Sequence, residues 1–185
     1  KAGWKGGHKQ ECKRLREGGE GGGGSGVAAL QEALRAALLG GTGRAPTDRQ
    51  RRVYEKIREA YDAGKHAEVV EMAEEGQAVA EEVRGALPVI AAQIYRMLGE
   101  SFVWCFEHVK GVGLLEQARA LAVEADDREV LGHVCNSLGT FHRGQAEDKK
   151  AIEEFEQGRA IDVELGDRQG EGIACNNLAL SYRAL

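Results

Sequence analysis

The stretch Asp127–Arg143, DREVLGHVCNSLGTFHR, returns 40 residues later as Asp167–Arg183, DRQGEGIACNNLALSYR. Seven of the 17 aligned positions are identical: Asp127/Asp167, Arg128/Arg168, Gly132/Gly172, Cys135/Cys175, Asn136/Asn176, Leu138/Leu178 and Arg143/Arg183. Ordinary residue frequencies give roughly one such match, so the chain repeats itself. The same shift carries LEQARALAVEADD (Leu115–Asp127) onto FEQGRAIDVELGD (Phe155–Asp167), and MLGESF (Met97–Phe102) onto SLGTFH (Ser137–His142). A weaker copy, offset by about one residue, covers Ile57–Glu82.

Each copy carries the helical period. Leu98, Leu138 and Leu178 recur where the first helix of a unit is predicted to meet its partner, and the small residues Gly99, Gly139 and Ala179 follow them. Ala151, Phe155 and Gly158 keep the spacing of a second helix's buried face. A two-helix unit has an apolar face that only the next unit can cover. The pattern therefore predicts an all-α fold, a right-handed α-solenoid of stacked helical hairpins.

Composition agrees with helices. Apolar residues make up 42% of the 185 residues, enough for a packed core, while aromatics are only 5% and Pro occurs twice. The net charge of −5 argues against a nucleic-acid surface, although residues 1–16 are locally basic. No apolar run is long enough to span a membrane and no signal peptide is visible, so no membrane partner is expected. Cys12, Cys105, Cys135 and Cys175 are too dispersed for a disulfide framework, which points to a reducing intracellular compartment, cytoplasm or nucleus.

Four segments follow along the chain. Residues 1–15 hold Trp4, His8 and Cys12 at intervals of four, and residues 16–26 form a Gly-rich linker, EGGEGGGGSG, with high backbone entropy. Residues 27–46 read as a short helix with Val27, Leu30, Leu34 and Leu38 on one face, then the loop GGTGRAP. That loop lacks the Lys-Ser/Thr ending of a phosphate loop. Thr47 opens the repeats, with Gln50 as its capping-box partner and Pro46 outside the helix. Residues 47–185 hold about three and a half units. With no initiator Met and a last unit represented by one helix, a longer parent protein with more repeats is expected.

The stretch CNSLGTFHRGQAEDKKAIEEFEQGRAIDVELGDRQGEGIACNNLALSY resembles tetratricopeptide repeats, in the longer variety found in kinesin light chains and in the Leu-Gly-Asn-repeat adaptors of mitotic spindles. The resemblance covers Thr47 to Leu185 and implies a concave groove, lined by first helices, that binds extended or helical peptides. In the repeat frame Asn136, Thr140, Arg143, Asn176 and Arg183 face that groove. In related repeats an Asn just before the Leu-Gly pair holds ligand backbone; Asn177 matches it and Ser137 departs from it. An Asn can donate to and accept from one peptide unit at once. Arg128 and Arg168, beside Asp127 and Asp167, read as caps and ion pairs between units. Cys135 and Cys175 occupy core-facing positions with no basic partner repeated beside them, so neither is expected to be catalytic.

The opening segment KAGWKGGHKQECKRL is similar to the close of a MYND-type zinc finger, Trp-x-x-x-His-x-x-x-Cys. A His and a Cys four residues apart on a helix can share a metal ion. The resemblance implies that His8 and Cys12 are the last two ligands of one structural Zn²⁺, with the finger's other cysteines ahead of Lys1. Two ligands cannot supply the roughly 10–16 kcal/mol of a complete structural site, so in this chain the segment is expected to be a tail. The other histidines lie in the repeats, and His133 and His142 are out of phase on one helix and cannot share an ion.

Finger and repeats together imply a non-enzymatic adaptor or scaffold that recruits other proteins or peptides. The alternative is a piece of a MYND/SET-type protein-lysine methyltransferase with C-terminal tetratricopeptide-like helices. Such enzymes place catalytic sequence between finger and helices, where this chain has a glycine linker, one short helix and no Asn-His-Ser-Cys-type cofactor motif. The adaptor is the stronger expectation.

Overall fold

The computed structural model describes residues 45–184. The expected helix at residues 27–39, the linker and the His8–Cys12 segment lie outside the described residues. Those described are all-helical, with no strand: α1 (Asp48–Asp62), α2 (His66–Glu71), α3 (Ala73–Val83), α4 (Pro88–Trp104), α5 (His108–Glu124), α6 (Arg128–Gly144), α7 (Asp148–Leu165) and α8 (Arg168–Ala184).

The period read from the sequence is the period of the helices. First helices begin at Asp48, Pro88, Arg128 and Arg168, each 40 residues after the last, and second helices α5 and α7 begin at His108 and Asp148. Two compact units are distinguished, one ending at Val130 and one beginning at Leu131. In the first, α4 packs against α5 and α3, and α1 against α2, α3 and α4. In the second, α8 packs against α7, and Gly139 of α6 lies under the Phe155 ring of α7.

Local chemistry starts and stops these helices. Thr47 caps α1 in a full capping box: Gln50 N donates to Thr47 Oγ1 (3.3 Å) and Thr47 N donates to Gln50 Oε1 (2.9 Å). Asp127 and Asp167, shared by the last two units, are N-caps. Asp127 Oδ1 accepts from Val130 N at 3.0 Å, and Asp167 Oδ1 from Gln169 N and Gly170 N at 3.0 Å each. Pro88 at the first position starts α4 in their place, where its missing N–H costs nothing.

Five helix ends close on a left-handed residue: Gly64, Phe106, Asp126, Ala146 and Gly166, with φ of 69°, 64°, 53°, 58° and 71°. At each, two backbone bonds complete a Schellman turn, for example Glu147 N to His142 O (2.9 Å) and Ala146 N to Arg143 O (3.0 Å). Alanine in this conformation is strained by its Cβ, and Ala146 is solvent-exposed. Ala146→Gly is therefore expected to stabilise the chain by about 0.5–1 kcal/mol, after the entropy cost of glycine. The result is a higher melting temperature in a thermal scan; an unchanged or lower one contradicts the strain.

The core follows the predicted faces. Leu98, Leu138 and Leu178 are buried, as are Ala151, Phe155 and Gly158 of α7 and their counterparts Gly111, Leu115 and Ala118 of α5. Two features depart from the repeat. The second helix of the first pair breaks at Met72, whose N–H is shared between Glu68 O (3.3 Å) and Val69 O (3.2 Å). Ala179 is exposed, because no described helix lies on that side of α8 as α5 lies on Gly99.

Candidate functional site

The candidate residues lie on α6 and α8. Arg143 Nη1 donates to Asn177 Oδ1 at 2.9 Å, joining the last turn of α6 to the middle of α8. The Arg143 guanidinium carbon also stands 5.9 Å from the centroid of the Phe155 ring, within cation–π reach. Asn177 Oδ1 accepts this bond with one of its two lone pairs, which leaves the other and the Nδ2 donors of the carboxamide for further partners.

The other candidates behave differently. Asn176 and Arg183 are exposed and seven residues apart, so they share one stripe of α8. Ile173 and Leu180, both exposed, complete that stripe; sequence reasoning missed them, although their spacing with Asn176 and Arg183 was visible. Thr140 is exposed, with its Oγ1 donating to Asn136 O of its own helix at 2.9 Å. Asn136 is turned inward, its Nδ2 donating to Asp162 Oδ2 at 3.4 Å and its carboxamide lying over Gly158. The structure thus joins Arg143 to Asn177, aligns Asn176 with Arg183, and engages Asn136 within the α6–α7 pair.

Beside this site His142 Nδ1 and Glu147 Oε2 are 2.7 Å apart, and Lys150 Nζ donates to Glu147 Oε1 at 3.0 Å. His142 first, then Lys150, hold the Glu147 carboxyl below the usual carboxylate range.

A second cluster, between α1, α2 and α4, was not legible in the repeat because that copy is the weak one. Tyr54 OH donates to Gln93, and Tyr61 OH to Glu100. Arg96 Nη1 donates to Glu100 Oε1 (3.1 Å) and to Tyr61 OH (3.2 Å), with its guanidinium 5.2 Å from the Tyr61 ring centroid. Burial, then the Glu100 charge, raise the Tyr61 phenol well above its ordinary value, so it remains a neutral donor. His66 bonds Ser101 Oγ at 3.1 Å and stacks on Trp104 with ring centroids 5.4 Å apart. Trp104 is nevertheless 68% exposed.

His8 and Cys12 lie outside the described residues, and among those described no group of three or more His, Cys, Asp or Glu could hold a metal ion. No described helix is long and apolar enough to cross a membrane. Cys135 and Cys175 are buried, the former with its Sγ 3.7 Å from Gln157 Oε1.

No protein-family model matches the chain, and no curated protein matches it.

Proposed function

We propose that this chain is the repeat region of a non-enzymatic adaptor of the tetratricopeptide type, in which stacked helical hairpins form a groove for peptide segments of other intracellular proteins. In the whole protein a MYND-type finger, with His8 and Cys12 among its zinc ligands, adds a second recruiting module. The observation that carries this reading is the unbroken interval of first helices, at Asp48, Pro88, Arg128 and Arg168. Equal spacing is what translational stacking requires, since each hairpin must offer its successor the same apolar face. The Arg143–Asn177 bond supports the groove, because it links successive first helices through two of the residues expected to line it.

A peptide library displayed against the full chain tests the proposal, with binding of selected peptides measured by fluorescence anisotropy. Arg143→Ala and Asn177→Ala are each expected to weaken binding about tenfold, the worth of one charge-assisted hydrogen bond. Glu153→Ala, at an exposed position of the second helix α7, should leave binding unchanged. Failure to select any peptide, or affinities indifferent to both groove substitutions, would overturn the reading.

A further inference from the structure

One buried carboxylate serves neither the groove nor the apolar core. Asp162, in the last turn of α7, is only 5% exposed. It sits in a slot cleared by two glycines: a Cβ on Gly132 of α6 would lie 3.2 Å from its Oδ1, and one on Gly170 of α8 only 2.7 Å from its Cγ. The equivalent positions one unit earlier are Ala122 and Val130, both buried. The repeat has thus exchanged a small apolar residue for a carboxylate and, eight residues later, a valine for a glycine.

The groups around it are poorly matched to a negative charge. From α6, Asn136 Nδ2 offers one long hydrogen bond of 3.4 Å. From the α7–α8 connection, the Asp167 carboxylate approaches the same Gly170 position, with Oδ2 2.7 Å from a Cβ placed there. From α8, Glu171 is also negative, and the nearby cations are spent on it: Arg159 Nη2 at 3.5 Å and Arg168 Nη1 at 3.3 Å. Asn136 Oδ1, buried, has no hydrogen-bond partner. A neutral Asp162 would bring an O–H donor on the very side chain that Asn136 already touches.

We propose that Asp162 is a proton-operated latch at the foot of α8. Protonated, it holds the first turn of α8 against the α6–α7 pair; ionised, it repels Asp167 and Glu171 and loosens that turn. Burial, with Asp167 and Glu171 adding to it against the pull of Asn136, pushes the carboxyl up to about 6 from its ordinary 3.8. The folded value lies above the unfolded one, so the stabilisation is full below the unfolded value and is lost as pH rises through about 6. The latch does not depend on whether the groove binds peptide.

Amide hydrogen exchange over the first turns of α8 reads the latch in the full chain. Protection of Gly170 to Ala174, corrected for the intrinsic pH dependence of exchange, is expected to fall about tenfold between pH 5 and pH 7.5. Asp162→Asn should abolish that dependence and keep the low-pH protection throughout. Asp167→Asn, which retains a good N-cap, should move the inflection to lower pH. A wild-type profile that is flat, or one that survives Asp162→Asn, overturns the proposal. Carbon NMR titration of the wild-type Asp162 carboxyl decides independently of any variant: a midpoint near 6 supports the latch, and one near the ordinary aspartate value ends it.

Discussion

Phe155→Ala is expected to remove about 3–5 kcal/mol from the unfolding free energy, the usual range for truncating a buried phenylalanine. The ring is fully buried on α7, with Ala151, Ile152 and Leu178 around it and Tyr182 against that cluster. It packs against α6 at Gly139, where an added Cβ would come within 2.6 Å of Cε1. Arg143 stands over the same ring. One side chain therefore ties α6, α7 and α8 together, and the cavity left by alanine would be lined by backbone that cannot collapse into it. Urea titration of the full chain followed by circular dichroism measures the loss; a change below about 1 kcal/mol would show that the second unit is not built around this ring.

The second large effect comes from adding one carbon. In the first unit α4 and α5 touch backbone to backbone at Gly99 and Gly111. A Cβ on Gly111 would lie 2.8 Å from Gly99 O and 2.9 Å from Val103 N, and one on Gly99 would lie 2.9 Å from Gly111 O. Rigid peptide groups cannot yield as a side-chain tip can. Gly111→Ala is expected to cost about 1–3 kcal/mol, even though alanine favours the helix by about 1 kcal/mol. Gly113→Ala, two residues on, makes the control, because a Cβ there meets nothing within 4 Å. It should raise stability by up to about 1 kcal/mol through propensity alone. Opposite signs from the same exchange in one helix would locate the close approach. Equal signs would place the helices farther apart than described.

Gly139 belongs to the same logic. Where α5 presents Leu115 to Gly99, α7 presents the larger Phe155 to Gly139, and in both cases glycine clears the space. The sequence identity Gly99/Gly139 thus has a mechanical cause, and the exposure of Ala179 marks where no described helix makes that demand.

The 40-residue repeat alone determined the helical class, the interval between successive units, and which leucines would be buried. These are legible because helix period and capping are local: an Asp at the N-cap, a Gly facing a partner and an apolar residue every third or fourth position act over a few residues. Thr47 and Gln50 announced α1 for the same reason. Tertiary structure alone decided which polar side chains were free to act. Asn136 and Asn177 differ by one position and share a side chain, yet one is drawn inward by Asp162 and the other is held by Arg143 from the neighbouring first helix. The burial of Asp162 between Gly132 and Gly170 arises only when α6, 30 residues earlier in the chain, converges with the α7–α8 pair. Hydrogen-bond partnership and desolvation are set by such distant neighbours, and no local pattern encodes them.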